Sequence, residues 1–251
     1  MSDNPQPLHE QLQRLLRELK LSRMAETYRE VLDEAAKSNM SPLEVLVRLL
    51  GDEALGRRER SLQRRIRQAR LPPRKMLDDY NFDFPRKIPK QKILRLFDCE
   101  FISQHASAVL IGKTGTGKTH LLNALGYTAC EKEFSVRWTR AVDMLNALTT
   151  AQVNGTLERK LREYTRCELL LLDELGYLPI DKRGADLMFQ VVAARYEQGS
   201  IVITTNRPFR EWGKIFDVDN TLATAIIDRL MHHGEAIVID GKSYRTGDDE
   251  M

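Results

Sequence analysis

The residues with the clearest chemistry are 112–119, which read Gly-Lys-Thr-Gly-Thr-Gly-Lys-Thr and match the pattern G-x-x-x-x-G-K-[ST] at every fixed position. Glycines let successive backbone N–H groups curl toward an anion, and a helix beginning at the loop adds its positive dipole end. Lys118 would reach the β- and γ-phosphates, and the Thr119 hydroxyl would ligate Mg²⁺. The pattern predicts a nucleoside triphosphate site formed by Gly112, Lys113, Thr114, Gly115, Thr116, Gly117, Lys118, Thr119 and His120.

Polar side chains that end two apolar segments would complete this site. Asp173 and Glu174 follow a run of leucines, and Asn206 follows Ile-Val-Ile-Thr-Thr. Asp173 would hold Mg²⁺ through its waters, Glu174 would polarise the water that attacks the γ-phosphate, and Asn206 would contact that phosphate or water. The alternative for the two carboxylates is that they cap the following turn or helix. The added glutamate favours hydrolysis over simple binding.

The elements that must position these residues alternate between apolar strands and helices. Such alternation predicts an α/β fold with a five-stranded parallel sheet covered on both faces, and the strand–loop–helix order around residue 112 distinguishes the loop from an ordinary glycine-rich turn. Strands are predicted at 108–111, 134–139, 168–173, 200–205 and 236–239, and helices at 118–131, 141–151, 156–166, 185–198 and 221–232.

The first part of the chain predicts a small, basic, all-helical domain. Residues 8–37 have helical periodicity, and Ser41-Pro42-Leu43-Glu44 has the capping-box pattern that begins another helix. Residues 55–70 place an apolar stripe opposite a basic face, and Pro72-Pro73 then ends the helix. The basic face consists of Arg57, Arg60, Arg64 and Arg67, flanked by Arg58, Arg65 and Arg70. We expect three segments: a helical domain over 1–75, a linker over 76–102 and a nucleotide-binding domain over 103–251.

The charge distribution points to a polyanionic partner for the first segment. Residues 1–75 hold 16 Lys and Arg against 11 Asp and Glu, whereas the whole chain has a net charge of only +3. Guanidinium groups suit a phosphate backbone, and no aromatic residue lies among these arginines to stack on single-stranded bases, so duplex DNA is the favoured partner. An acidic protein, a membrane surface, or a merely solvated face are the alternatives; the narrow apolar stripe without Trp or Phe disfavours the membrane.

Composition restricts the remaining possibilities. A chain of 251 residues with 42% hydrophobic and 30% charged residues is typical of a globular protein, and it has no apolar run long enough to cross a bilayer and no apolar core of a signal peptide. Cys99, Cys130 and Cys167 lack C-x-x-C spacing. We therefore expect reduced thiols in the cytoplasm, with no structural disulfide and no metal cluster.

These motifs together resemble the IstB/DnaC branch of the AAA+ ATPases. The phosphate loop, LLLLDELGYLP, IVITTNRP and DRLMHHGEAIVIDGKSYR carry the resemblance to the branch, and LKLSRMAETYREVL, SPLEVLVRLL and RRIRQARLPPRK resemble IstB-type transposition helper proteins. The resemblance implies an ATP- and Mg²⁺-dependent oligomer that binds duplex target DNA with little sequence preference and assists a transposase. The alternatives are a DnaC-like helicase loader, which would grip a helicase instead, and a small-molecule kinase, for which no acceptor pocket is evident.

By motif match, Lys118 and Thr119 are the Walker A pair, Asp173 and Glu174 the Walker B pair, and Asn206 is sensor 1. Arg229 matches the arginine finger that acts on a neighbouring subunit's ATP, with Arg245 as a second candidate for contacting the nucleotide. Phe82 and Phe84 precede the domain where relatives pack the adenine base. His232 and His233 lie at a helix end, where a charge–dipole role is expected and no metal is assigned. Residues 240–251 are too few for the usual helical lid, so a neighbouring subunit is expected to complete the site.

Overall fold

The computed structural model describes residues 8–83, 88–216 and 220–241, without the side chain of residue 220. The chain divides into two compact units, Met1–Arg64 and Arg65–Met251, and the division falls inside a helix that runs over Pro42–Ala69. No helix within the described ranges is long and apolar enough to span a membrane. The functional division into 1–75, 76–102 and 103–251 stays a prediction.

The first unit is helical, as its periodicity predicts. The predicted pattern over 8–37 forms two helices, because the backbone turns at Lys20 with a φ of 55°. The capping box is confirmed: the Glu44 carboxylate accepts a hydrogen bond from the Ser41 backbone N–H at 2.7 Å, and the Glu44 N–H donates to Ser41 Oγ at 3.3 Å. The helices are α1 (Leu8–Glu18), α2 (Ser22–Ser38) and α3 (Pro42–Ala69), around a core of Leu16, Met24, Tyr28, Val31 and Leu49.

A buried carboxylate on α3 joins two helices of this unit. Glu53 is 2% exposed, and its Oε2 accepts hydrogen bonds from the backbone N–H groups of Arg23 and Met24 at 2.7 and 3.1 Å. These amides belong to the first turn of α2, which has no capping side chain of its own, so Glu53 satisfies two donors that a helix start leaves unpaired. Its Oε1 pairs with Arg57 at 3.2 Å and with Arg60 at 2.9 Å.

Replacement of Glu53 by alanine should lower the free energy of opening of α2 by about 2–4 kcal/mol at pH 7, because two capped amides and two arginines lose their acceptor. Burial acts to raise the pKa of Glu53, but the hydrogen bonds from Met24, Arg23, Arg57 and Arg60 outweigh it and lower the pKa. The stabilisation is thus complete above the unfolded value of about 4.3 and disappears as the pH falls through the lower folded value.

Native-state amide hydrogen exchange at the buried residues of α2 measures this effect locally. Glu59→Ala is the matched control, because Glu59 is exposed on the same helix and has no ion pair among the described residues; its effect should stay within about 0.5 kcal/mol. Equal protection of α2 in the two variants at pH 7 would contradict the role of Glu53.

The second unit contains the predicted α/β arrangement. A short 3₁₀ turn covers Phe209–Glu211. The helices are α4 (Lys90–Phe97), α5 (Glu100–Ser103), α6 (Lys118–Glu131), α7 (Ala141–Val153), α8 (Leu157–Thr165), α9 (Lys182–Arg195), α10 (Trp212–Ile215) and α11 (Asn220–Met231). The strands are β1 (Ala108–Gly112), β2 (Val136–Arg140), β3 (Leu169–Leu175), β4 (Ser200–Thr205) and β5 (Glu235–Ile239). Helix α9 begins three residues before its predicted start, because Asp181 accepts a hydrogen bond from the Gly184 N–H and caps it.

The five strands form one parallel sheet in the order β2-β3-β4-β1-β5, which confirms the predicted sheet. Strand β3 shows how both faces are covered. Leu170 and Leu172 pack into the core shared with α7, α9 and α11, whereas Leu171 lies against Gly126 of α6. Because all strands are parallel, the carboxyl ends of β1, β3 and β4 meet at one edge of the sheet, where ligands bind in folds of this class.

A buried arginine connects the chain segments at the amino ends of β3 and β4. Arg195 is 1% exposed, and its guanidinium donates to backbone carbonyls at the end of α8, just before β3 and at the start of β4. The acceptors are the carbonyls of Tyr164, Cys167, Glu168 and Ser200, at 2.8 to 3.0 Å. These bonds link the end of α8 and the residues before β3 to the start of β4.

Candidate functional site

The loop between β1 and α6 has the backbone that a phosphate site requires. Gly112 lies so close to β5 that a Cβ atom would approach the Ile239 carbonyl oxygen to 2.4 Å. Gly117 has a φ of 83°, and a Cβ there would meet the Tyr80 ring at 2.5 Å. Only glycine fits both positions, and α6 begins directly after the loop, so its free N–H groups face the same space.

Lys118 is held inside this loop. Its Nζ donates to the carbonyl oxygens of Gly112 at 2.7 Å and Lys113 at 2.8 Å, and the residue is 5% exposed. Burial lowers the pKa of Lys118 to about 8, although the charges of Asp173 and Glu174 act in the opposite direction. A phosphate group near Nζ would favour the charged amine, which makes Lys118 suited to bind an anion.

The oxygen ligands expected for Mg²⁺ lie side by side. Thr119 Oγ1 donates to Asp173 Oδ1 at 3.1 Å, and Asp173 is 2% exposed at the end of β3. Thr204 of β4 donates to the same carboxylate oxygen at 2.5 Å. A hydroxyl and a carboxylate in contact fit a hard cation that keeps most of its waters. Sequence reasoning missed Thr204, which holds the carboxylate in place from the neighbouring strand.

A bulge in β3 determines the direction of the Glu174 side chain. Leu172 pairs with Ile203 and Leu175 pairs with Thr205, so β3 has one extra residue between these two pairs. Glu174 has a φ of 61°, and its N–H donates to Thr204 Oγ1 at 2.9 Å instead of to the strand ladder. A bulge re-aims side chains that would otherwise alternate between the faces. Asp173 thereby contacts Thr119 while Glu174 lines the nucleotide cavity.

Asn206 lies one residue beyond β4, directly after the residue that pairs with Leu175. Its Oδ1 is buried and has no hydrogen-bond partner among the described residues. A buried amide oxygen without a partner is costly, so it is available to a ligand or water. The structure therefore places Asn206 at the same edge of the sheet as Asp173 and Glu174.

The segment before α4 forms one wall of the site. It runs alongside α6 and makes three contacts with it. Tyr127 Oη donates to the Pro72 carbonyl at 3.0 Å, and Asn123 Nδ2 donates to the Pro73 carbonyl at 2.7 Å. His120 Nε2 lies 2.8 Å from the Met76 carbonyl oxygen. This segment, residues 71–81, is called the strap.

The strap ends at Tyr80, whose hydroxyl donates to the Thr116 carbonyl at 3.1 Å and whose burial raises its pKa to about 12. A cavity of about 320 Å³ lies between strap and loop, lined by Lys75, Asp79, Tyr80, Asn81, Thr114, Gly115, Thr116, Gly117, Lys118, Thr119, His120, Glu174 and Tyr177. Phe82, the expected adenine neighbour, packs edge-on to Tyr80 with ring centroids 5.0 Å apart. Phe84, its expected companion, lies outside the described residues.

Of the two arginine-finger candidates, only Arg229 lies among the residues that the structure describes. Arg229, near the end of α11, donates to the Ala225 carbonyl at 3.0 Å and lies over the Phe189 ring with its Cζ 4.8 Å from the centroid. It lines a cleft with Ser107, which precedes β1. Arg229 is therefore at the edge of the sheet opposite the phosphate loop. Arg245 lies outside the described residues.

The seven arginines of the predicted basic face and its flanks, between positions 57 and 70, fall into two groups. Arg57 and Arg60 pair with Glu53, and Arg65 donates to the Cys130 carbonyl at 3.0 Å with only 17% of its side chain exposed. The exposed group has no ion pair among the described residues and consists of Arg58, Arg64 and Arg67 of α3 and of Arg70, which directly follows it. Sequence reasoning missed Glu53 as the partner of Arg57 and Arg60, and it missed that Arg65 is occupied by the end of α6.

Solved structures of other proteins share the fold of the nucleotide-binding part of this chain. Replication initiator DnaA bound to AMPPCP and single-stranded DNA matches with a TM-score of 0.56 and 22% identity, over 69% of this chain and 51% of that protein, so this chain spans about half its length. The DnaC helicase loader matches with a TM-score of 0.53 and 21% identity, over 65% of this chain and 96% of that one. At these identities the likeness shows the fold alone, and it confirms the predicted P-loop AAA+ fold.

Sequence relatives cover nearly the whole chain. The protein named for ATP binding in insertion sequence IS232 of Bacillus thuringiensis subsp. berliner is 38% identical over 240 residues, which are 96% of each chain. Its counterpart from insertion sequence IS21 of Pseudomonas aeruginosa is 37% identical over 95% of this chain and 89% of its own. A family model described as IstB-like ATP binding protein matches residues 14–250. This chain therefore belongs to the IstB-like ATP-binding protein family, as the resemblance of its motifs predicted.

Proposed function

We propose that this protein is an ATPase that binds duplex DNA with little sequence preference, assembles on it as a homo-oligomer and assists the transposase of its insertion sequence. Membership of a family named for ATP binding and insertion sequences supports the association with transposition. The observation that carries the DNA-binding proposal is the group of exposed arginines between positions 58 and 70 that form no ion pair within the part of the chain that the structure describes, since guanidinium groups without acid partners are available to phosphates.

The proposal of ATP hydrolysis rests on the roles that the residues of the site can take. Lys118 and the loop N–H groups hold the phosphates, and Glu174 orients the attacking water while Asn206 contacts that water or the γ-phosphate. Thr119 and Asp173 would hold Mg²⁺, which when bound neutralises charge on the phosphate oxygens. Thr204 positions the Asp173 carboxylate through its contact with Oδ1, and it positions the backbone of Glu174 by accepting a hydrogen bond from the Glu174 N–H.

Assembly is proposed from the position of Arg229. Strand β1 is five residues long, so its ends lie about 16 Å apart. Ser107, which shares a cleft with Arg229, precedes β1, whereas the phosphate loop follows it. Arg229 is too far from its own loop to contact a bound γ-phosphate, so any role in the reaction must be at the site of a neighbouring subunit.

The double replacement Arg64→Ala/Arg67→Ala should weaken duplex binding by about 10- to 100-fold at 0.1 M salt, equally for unrelated sequences. Each lost phosphate contact should also reduce the slope of log K against log salt concentration by about 1. Fluorescence anisotropy with two duplexes of different sequence, titrated at several salt concentrations in the presence of ATP, measures both quantities.

The charge-matched control is Arg159→Ala/Arg166→Ala, which removes two exposed arginines on and just after α8 that have no ion pair among the described residues. This control should keep its affinity. Equal weakening in both double variants would reduce the effect to net charge and would remove α3 from the interface. Unchanged DNA affinity, together with loss of capture of a hexameric helicase, would instead support the helicase-loader alternative.

A further inference from the structure

Three exposed side chains outside the nucleotide site bring metal-binding atoms together. Glu197 lies in the turn between α9 and β4, and His232 and His233 follow α11. One ligand atom from each lies within 4.8 Å of the other two. The sequence alone assigns no metal to the adjacent histidines, because their third partner is about 35 positions earlier and becomes a neighbour only in the fold.

The geometry of the group resembles a coordination shell more than a hydrogen-bonded pair. His233 Nε2 and Glu197 Oε1 are 3.6 Å apart, which is longer than a good hydrogen bond. In a tetrahedral zinc site with bonds of 2.0–2.1 Å, two ligand atoms are separated by about 3.4 Å. The observed separation needs little change to hold such an ion between the two side chains.

A neighbouring tyrosine supports the second histidine. Tyr196 Oη lies 2.7 Å from His232 Nδ1 and thereby occupies that nitrogen, leaving His232 Nε2 for another partner. Metal-bound histidines commonly have their other ring nitrogen held by such a hydrogen bond, which fixes the ring orientation. The His232 and His233 ring centroids are 4.2 Å apart, so the two rings lie side by side.

We propose that Glu197, His232 and His233 bind one divalent transition metal of the zinc class. Two imidazoles and one carboxylate favour zinc over Mg²⁺, which prefers oxygen ligands in an octahedron. Three protein ligands leave one tetrahedral position for water or for a group from another molecule. The location at the carboxyl end of α11 adds an attractive dipole for a cation.

The bound metal would join the end of α9 to the end of α11, the two helices that position Arg229. Arg229 lies one turn before His232 and packs over Phe189 of α9. Metal binding should therefore order the proposed arginine finger; this consequence rests on the proposed function, whereas the binding of the metal does not.

The test is a Zn²⁺ titration of the nucleotide-free full chain against a chromophoric chelator, with millimolar Mg²⁺ present to occupy oxygen-only sites. We expect one Zn²⁺ per chain, with affinity reduced at least about tenfold by His232→Ala/His233→Ala and by Glu197→Gln, and about tenfold by Tyr196→Phe. His9→Ala, a histidine of the first unit, is the control and should bind as the wild type does. Circular dichroism and thermal melting establish that each variant is folded.

The absorption spectrum of the Co²⁺-substituted protein identifies the ligands. Imidazole and carboxylate ligation should give visible d–d bands without a thiolate charge-transfer band. Wild-type affinity in the double histidine variant, a thiolate band, or no Zn²⁺ bound would each overturn the proposal. ATP turnover and DNA binding are measured separately, so failure of the metal site is distinguishable from failure of the proposed function.

Discussion

Glu174→Gln should lower the rate of ATP turnover by about 10²- to 10⁴-fold, while ATP and duplex DNA still bind. Glutamine keeps the size of the side chain, and the backbone N–H that donates to Thr204 Oγ1 is unaffected. What is lost is the carboxylate that would accept a proton from the attacking water. The loss should therefore fall on the rate constant of the chemical step and leave the affinity nearly unchanged.

Turnover with and without duplex DNA, together with equilibrium ATP binding, measures these expectations. We expect DNA to stimulate the wild type and to leave the variant slow. Lys118→Ala is the contrasting variant, because it removes the amine that we propose binds the phosphates, and it should lose ATP binding itself. If Glu174→Gln turns over ATP at the wild-type rate, Glu174 has no role in activating water.

Much of the fold was predictable because its signals are local. The loop of residues 112–119 requires a strand before it and a helix after it, and buried parallel strands produce continuous apolar runs. The structure has all five predicted strands and the predicted helices of the second unit, with shifted ends. Ends shift where a single side chain decides them, as Asp181 does for α9. Such a contact has little effect on periodicity, so the pattern alone does not locate it.

The geometry of the carboxylates was not predictable in the same way. Asp173 and Glu174 are adjacent, and in a regular strand adjacent side chains point to opposite faces. The bulge between Leu172 and Leu175 and the left-handed backbone of Glu174 change this, and both depend on pairing with β4, thirty residues later. The sequence identified the residues, whereas the neighbouring strand determines where they point.

Contacts between residues distant in the sequence account for the other features that the sequence did not predict. Tyr80 covers the phosphate loop from the strap, and Glu53 occupies two arginines that the helical periodicity assigned to an open basic face. In each case the residue type is ordinary, and its role arises from a contact formed by folding. A periodic pattern predicts which face of a helix is charged, but it does not predict which of those charges are already paired.

Arg229→Ala should reduce ATP turnover by about 10³-fold or more, as expected for an arginine that stabilises charge on the transferred phosphate. Thermal melting is the first control, because Arg229 also packs over Phe189 and bonds to the Ala225 carbonyl. Its position opposite its own phosphate loop predicts that the effect arises between subunits.

Mixing two inactive variants tests this directly. Arg229→Ala has an intact phosphate loop, and Lys118→Ala has an intact Arg229. In a mixed oligomer, some sites combine the loop of the first with the arginine of the second, so turnover should recover in proportion to such pairs. An arginine that acted within its own chain would give no recovery, because neither protomer contains both groups. If Arg229→Ala alone is fully active, the same mixing with Arg245→Ala examines the second candidate, and no recovery there would remove the shared site from the mechanism.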